Sequence, residues 1–475
     1  MLDRTARTEP ALYSRSVNAT LLAILLYVLA QLGIGWWVAR RIRTEDDYLV
    51  AGRSLGYGLA VFTIFATWFG AETCIGAAGR IYESGLSGGS ADPFGYALCL
   101  FVMGLVFAVP IWKRRLTTMA DLFRQRYSPA VERLAVLLMV PTSLLWAAAQ
   151  IRAFGQVISA SSGLQVEITI TVAALVVIIY TVSGGLLADA ITDMVQGIAL
   201  ILGLTVLLAV ILVQGGAGAL SQVQPERLQL LGGGAVPWYE MAEAWAIPVF
   251  GSVVAAELVA RVLASRSAAI ARNSFVVAGG CYLAIGLIPV TLGLIGAEML
   301  PGLEDPEQVL PQLAQEHLPS VLYVLFVGAL LSAILSTVDS TLLVSSSLVS
   351  HNIVAPLSPG ISETWRVRSA RIGVAAFGAL AYVMALYAEG VYVLVEQASA
   401  FGSAGIVVIV TFGLFTRIGG PASALAALLS GVGVWVFGNY LLELPWAYLA
   451  ALGASVAAYA VGALLEPRYA VGTVG

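Results

Sequence analysis

Charge is scarce in this 475-residue chain: Asp, Glu, Lys and Arg make up 11% of it, against about 25% in a soluble protein. Lysine is scarcer still, with Lys113 alone, and the arginines are scattered at the ends of apolar runs. That pattern offers no basic patch and excludes a nucleic-acid partner. The three cysteines, Cys74, Cys99 and Cys281, are dispersed through apolar segments. An odd, scattered set argues against disulfides and against a metal centre. Only His317 and His351 supply imidazole, far apart, and no nucleophile–base pair stands out, so an enzyme is a remote reading. What replaces charge is hydrophobic sequence, 59% of the chain, with a mean hydropathy of +0.90. The composition is that of a polytopic membrane protein whose first partner is the lipid bilayer.

Apolar runs bounded by Gly, Pro and charge clusters fall near 17–39, 55–82, 93–112, 129–161, 164–182, 187–213, 239–263, 267–299, 319–354, 366–388, 390–416, 421–440 and 443–465. About thirteen transmembrane helices make an all-α fold in one transmembrane domain, with no soluble domain left over. The opening "MLDRTARTEPALYSRS" precedes a run without a small-residue cleavage pattern, which predicts a retained leading helix over 17–39. Arginines after the odd-numbered spans test the sidedness. Arg40, Arg41, Arg43 and Arg53 follow the first, and Lys113, Arg114, Arg115, Arg124, Arg126 and Arg133 the third. Arg261, Arg266 and Arg272 follow the seventh, Arg366, Arg368 and Arg371 the ninth, and Arg417 and Arg468 the last two odd spans. All these ends share one side, which the positive-inside rule makes cytoplasmic. The C-terminus is then cytoplasmic and the N-terminus outside, although Arg4, Arg7 and Arg15 weigh mildly against that. The acidic loop "GLEDPEQVLPQLAQEH" lies outside, and the membrane expected is the plasma (inner) membrane.

Two spans are interrupted. The second, "GLAVFTIFATWFGAETCIGAAGRIYESG", is punctuated by Gly70, Gly76 and Gly79 around Glu72. The seventh, "WYEMAEAWAIPVFGSVVAAELVAR", has Pro248 and Gly251 at mid-depth and Glu257 beyond. Broken helices are tolerated in a bilayer where the freed backbone lines an enclosed cavity. A pair five spans apart is the pattern of transporters built from inverted repeats, with the binding site at the breaks. Gly and Pro are also common in membrane helices generally. The internal repeat is not visible as residue identity.

The stretch "AILSTVDSTLLVSSS" (333–347) carries seven hydroxyl residues and Asp339 in an otherwise apolar run. Ala333, Ser336, Thr337 and Ser340 are spaced i, i+3, i+4, i+7 on one helix face, with Asp339 beside it. A hard cation such as Na⁺ wants oxygens, which hydroxyls and freed carbonyls supply. Ser345, Ser346 and Ser347 read as ordinary helix–helix or back-bonded hydroxyls. An intramembrane carboxylate such as Asp339 is costly and usually functional.

Three stretches resemble the sodium:solute symporter family. "DYLVAGRSLG" (47–56) looks like its approach to the first core helix, and "SAILSTVDS" (332–340) like its sodium-site helix. "YTVSGGLLADAITDMVQ" (180–196) matches the family signature Y-T-x-x-G-G-x-x-A-x-x-x-T-D-x-x-Q at every fixed position. The resemblance implies a LeuT-like 5+5 inverted-repeat core over about 55–416, broken in its first and sixth helices, with two trailing helices over about 421–465. It places a coupling Na⁺ among the carbonyls of Ala66 and Phe69 and residues Ala333, Ser336 and Thr337. A second cation site, present in some members, would use Asp193 with Ser336, Asp339 and Ser340, and would take a second Na⁺ or a proton. Asp193 also reads as a packing partner of Thr192 or Gln196.

The solute is less legible. Sugar-carrying members use a membrane lysine that this chain lacks, and "AAE" (255–257) stands where they have Asn and Gln, although Glu72 matches an acidic position of theirs. "ATWFG", "LLWAAA", "STVDS" and "GLIPVTLGLIG" have counterparts in the choline-transporter branch. Trp68 and Trp146 would there be two walls of an aromatic box for a quaternary ammonium, unless Trp68 is mere packing. The branch's aromatic at the second break is Ala255 here, and Glu72 or Glu257 would supply part of the missing attraction. Arg152, inside the fourth span, would bind a solute carboxylate or, the favoured expectation, pair with Glu72, Glu257 or Glu396. Glu396 and Gln397 are further gate or site candidates. The reading is Na⁺-coupled symport, by alternating access, of a small organic solute: an amine, a betaine or an amino-acid-like zwitterion. The alternatives are a sugar or carboxylate carrier, a transporter-like sensor module and a passive channel. No feature of the sequence fixes an oligomeric state.

Overall fold

The computed structural model describes residues 44–466 apart from 90, 184, 232–235, 358, 359 and 361, and only isolated positions before 44. The expected leading helix at 17–39 therefore lies almost wholly outside the described residues. Every other expected span finds helix. In chain order these are α1 Tyr57–Trp68 and α2 Glu72–Ser84, which together make one bent span, then α3 Ala91–Lys113, α4 Pro129–Ser162 and α5 Val166–Ser183. Next come α6 Leu186–Gln222, α7 Trp238–Ala246, α8 Ala256–Ala264 and α9 Ala268–Met299. The last are α10 Ser320–Leu357, α11 Glu363–Tyr387, α12 Val391–Ala400, α13 Ser403–Phe415, α14 Pro421–Tyr440 and α15 Ala447–Leu465.

Local chemistry sets the ends of the long helices. Ser128, Ser267 and Ser362 are extended N-caps whose side chains accept from Val131, Ile270 and Trp365 N–H, each worth about 1 kcal/mol. Pro129 sits at the first position of α4, and Gly163 ends it in the left-handed region at φ 69°. At 34 residues, α4 is about 51 Å long, so it outruns the hydrocarbon layer and passes the whole length of the core. It packs against α5, α10, α11 and α12, while α10 lies between α4 and α6.

Both interruptions are real. The chain bends by 51° between α1 and α2. In the seventh span α7 runs through a wide turn, Ile247–Gly251, and unwinds over residues 252–255 before α8. The unwinding starts one residue after Gly251, the position the sequence marks. A third break, which the sequence reading did not expect, bends α12 from α13 by 41° at Phe401 and Gly402. The start of the first interrupted helix meets the end of the second: Leu55 N–H donates to Ala264 O (3.1 Å) and Arg266 N–H to Leu55 O (3.0 Å). At that arginine-rich end, Glu45 receives Arg366 (2.8 Å) and His351 (3.0 Å), and His351 also reaches Asp121 (3.4 Å). Burial pushes the Glu45 and Asp121 carboxyls up, but these partners outweigh it and hold both below their ordinary values.

Candidate functional site

Two side chains hold the first break open. Gly70 N–H donates to Glu72 Oε1 (3.2 Å) and Ala71 N–H to Gln150 Oε1 (2.9 Å), while Gln150 Nε2 donates to Glu72 Oε2 (2.8 Å). In a continuous helix those two N–H groups would go to the carbonyls of Ala66 and Thr67. Diverting them frees both carbonyls. Thr337 Oγ1 donates to Thr67 O (3.1 Å) as well as to its own Ala333 O (3.3 Å). At Phe69, φ −99° and ψ 76° turn the carbonyl out of the helical direction. Gly70 is closely surrounded: a Cβ there would lie 2.6 Å from both Glu72 Oε2 and Thr337 Oγ1, so a larger residue would displace the side chains that shape the break. Ala66 and Phe69 thus flank Thr67 at a break that α10 reaches through Thr337, the kind of place where a freed backbone lines a cavity.

One turn away lies a charged cluster. Asp193 accepts from Thr63 Oγ1 (2.5 Å), Thr67 Oγ1 (3.3 Å) and Ser336 Oγ. Ser340 Oγ donates to Asp189 Oδ2 (2.9 Å) and lies 3.3 Å from Thr67 Oγ1. Into this group reaches Arg261, wholly buried, ion-paired with Asp189, hydrogen-bonded to Ser340 and 3.6 Å from Asp193. Asp339 is buried beside them, near Thr181 and Asp189. Three carboxylates and one guanidinium out of water are costly unless densely hydrogen-bonded, and here Thr63 and Thr67 of α1 and Ser336 and Ser340 of α10 supply hydroxyls to Asp193 and Asp189.

Beside the first break the rings of Trp68 and Trp146 touch, with centroids 4.8 Å apart. Tyr96 joins them at 5.9 Å from Trp68, edge on, and 6.1 Å from Trp146. Its hydroxyl meets Ser399 Oγ (2.9 Å), which also accepts from Ser252 Oγ (3.0 Å) at the second break. The two sites are packed tightly here, since a Cβ on Gly251 would lie 2.2 Å from Ser399 O. Glu257, in the first turn of α8, accepts from Ser143 Oγ (2.5 Å). It shares with Trp146, Ser252 and Ala255 a cavity of about 30 Å³, room for about a water. Glu72 lines a second small cavity with Asp92, Tyr96, Tyr392 and Glu396.

A model of the sodium:solute symporter family matches residues 48–431. The chain belongs to that family. Among its relatives, the human high affinity choline transporter 1 is 30% identical over 464 residues, 90% of this chain and 77% of that protein. The Caenorhabditis elegans high-affinity choline transporter 1 is 29% identical over 410 residues, 78% and 69% respectively. The Haemophilus influenzae sodium/pantothenate symporter is 27% identical over 337 residues, 67% and 68%. In fold, the chain is similar to a Na⁺-coupled sialic acid symporter in a substrate-bound outward-open state. The TM-score is 0.85 at 18% identity, covering 94% of this chain and 98% of that one. A nucleobase-cation-symport-1 family transporter in a closed conformation aligns at TM-score 0.60 and 17% identity, over 90% and 98%. The fold is LeuT-like, and the protein is a membrane transporter that couples Na⁺ to the movement of a small solute, not an enzyme.

Within this symporter two expectations are corrected. Arg152 forms no ion pair among the described residues; its guanidinium donates to Ala385 O (3.2 Å). Glu72, Glu257 and Glu396 each face other neighbours, because Gln150 and Ser143 reach the first two before any arginine does. Arg261 is not a loop-end arginine: it stands three residues inside the end of α8, with its side chain in the core. Three contributors, Asp189, Gln150 and Tyr96, escaped the sequence reading, whereas Asp193 was expected. Asp189 and Asp193 are one helical turn apart on the signature helix, a visible i, i+4 pair. Gln150 and Tyr96 carry no such signal, since their partners lie 78 and 303 residues away in sequence.

Proposed function

We propose that this symporter imports a small organic cation of the choline type, with betaine-like zwitterions as near relatives. The observation that carries this is the Trp68–Tyr96–Trp146 group beside the Glu72 carboxylate, at the junction of the two breaks. Indole and phenol faces attract a quaternary ammonium that cannot hydrogen-bond, and the carboxylate adds charge attraction in a dry site. The choline transporters among its relatives support the same solute class. The three rings lie in contact, so the solute must part them, and the small cavity at Ala255 and Glu257 is the space into which they open.

Na⁺ binds at the first break, among the carbonyls of Ala66 and Phe69 and residues Ala333, Ser336 and Thr337. Its binding fixes the unwound segment that follows Trp68 and so shapes the solute pocket. Coupling is reciprocal, solute tightening Na⁺ as much as Na⁺ tightens solute. The second cation site of Asp193, Ser336, Asp339 and Ser340 is served by the Arg261 guanidinium, which touches Ser340 and neighbours Asp193. One Na⁺ per cycle follows. The arginine-rich end faces the cytoplasm and the acidic end faces outside.

The test is uptake of labelled choline, betaine, proline, glucose and pantothenate into proteoliposomes with a Na⁺ or K⁺ gradient. Choline uptake that needs inward Na⁺, with a Hill coefficient for Na⁺ near one, is expected. Uptake indifferent to Na⁺, or preference for sugar or carboxylate, refutes the assignment.

A further inference from the structure

At the acidic end, above the small inner cavities, a basin of about 290 Å³ opens between α2, α4, the 305–307 loop and the start of α12. Its walls carry Glu83, Asp305, Glu307, Glu389 and Glu396 against only Arg80 and Arg152. Two of its groups are placed in an unusual way. The Arg80 guanidinium lies over the Tyr392 ring, 5.1 Å from the centroid, held otherwise by the exposed Glu83 at 3.7 Å. Gln156, 6% exposed, donates through Nε2 to Glu307 Oε2 (3.1 Å), and its Oε1 has no donor. Glu307 itself is fixed by Val391 and Tyr392 N–H (2.8 and 3.2 Å). A buried amide oxygen without a donor costs free energy unless a ligand or water meets it. Tyr392 and Glu396 belong both to this basin and to the inner cavity that holds Glu72 and Tyr96. Tyr392 is the partition between the two.

We propose that the basin is an outer binding station for the organic cation, in which Arg80 is a tethered stand-in for the solute on the face of Tyr392. The excess of carboxylates rejects anions and raises the local concentration of cations. The incoming ammonium takes the ring face, Arg80 swings out toward Glu83, and a hydroxyl on the solute donates to Gln156 Oε1. Displacing the guanidinium frees Tyr392 to move, which opens the way to the inner site. The station uses no oxygen of the Na⁺ site, so its occupancy does not depend on Na⁺. This inference rests on the reading of the solute as a small organic cation.

Equilibrium binding of radiolabelled choline to the purified protein, with Na⁺ and with K⁺, tests it. Wild type is expected to bind two equivalents in Na⁺ and one, the outer, in K⁺. Gln156→Leu should lose the equivalent that persists in K⁺ while keeping the Na⁺-dependent one, which also shows that it has folded. Trp68→Ala should do the reverse. Arg80→Gln, a change at a surface side chain, should tighten the outer site about threefold by removing its competitor. A single Na⁺-dependent equivalent that Gln156→Leu and Arg80→Gln leave untouched overturns the outer station and spares the proposed transport. No choline binding in either salt overturns the solute assignment, and the station with it.

Discussion

Gln150 is the side chain whose loss reports most directly on how the ion site is built. Its amide takes Ala71 N–H out of the helix (2.9 Å) and holds the Glu72 carboxylate (2.8 Å), which in turn takes Gly70 N–H. In Gln150→Leu the Ala71 N–H turns back to Thr67 O, and the Glu72 carboxylate, no longer held by the amide, lets Gly70 N–H return to Ala66 O, one of the carbonyls proposed for Na⁺. Reopening it on Na⁺ binding must then be done without the hydrogen bond to a charged group, worth about 1.5–3 kcal/mol. At 1.36 kcal/mol per tenfold, half-saturation by Na⁺ should rise about 10- to 150-fold. Solute capacity at saturating Na⁺ should stay near wild type, because the rings of Trp68, Tyr96 and Trp146 are untouched. The assay is Na⁺ titration of choline uptake in proteoliposomes, paired with the quenching of tryptophan fluorescence in detergent. A half-saturation within twofold of wild type, in protein of normal capacity, refutes the idea that Gln150 keeps the break unwound.

Other consequences are open to measurement. Thr337→Ala should abolish Na⁺ stimulation of uptake while Thr337→Ser retains it, since the contact to Thr67 O is made by the hydroxyl; equal loss in both would assign the defect to packing. Asp339→Asn is expected to leave the Na⁺ stimulation of uptake in place, because Arg261 and not Na⁺ serves that cluster, and loss of Na⁺ stimulation in this variant would count for a second Na⁺ there. Arg261→Gln should destabilise the protein by about 3–5 kcal/mol, because it strands buried carboxylates, and adding Asp189→Asn should recover part of that in thermal unfolding. A double variant no more stable than the single one would count against the pair. Glu45 and Asp121 are held low by His351 and, for Glu45, Arg366. Their stabilising contribution is therefore full above the ordinary carboxylate range and lost as pH falls through their depressed values. Melting temperature should drop in acid more steeply for wild type than for Glu45→Gln, and parallel curves would show that the contact is idle.

The sequence exposed what depends on local chemistry. Gly70 and Gly251 mark both breaks to within a residue because a Cβ at either would crowd the groups packed there, and hydroxyls one turn apart on α10 mark the face that meets α1. Ser345 and Ser347 bond back to their own helix as read, and Ser346 to Ala370 O of α11. What stayed hidden depends on which side of an apolar helix faces protein and which faces lipid. In a bundle where both surroundings are oily, hydropathy is nearly the same all round the helix. Arg261 was therefore grouped with its neighbours Arg266 and Arg272 at a loop, although its guanidinium lies between α6 and α10. Trp68 and Trp146 were paired by motif, and they do touch, but Tyr96 sits in a run of plain apolar character and only the packing shows it as the third ring.

The two backbone hydrogen bonds of Leu55 with Ala264 and Arg266 act as a yoke. They couple the arginine-end halves of the two interrupted helices, so that neither lever can swing without the other, while the halves beyond the breaks are left to turn on their own pivots. Motion at the arginine-rich mouth is thus a single stroke of two joined arms, and motion at the opposite mouth can be taken in separate steps. A covalent strap across positions 55 and 265 should run with this machine rather than jam it.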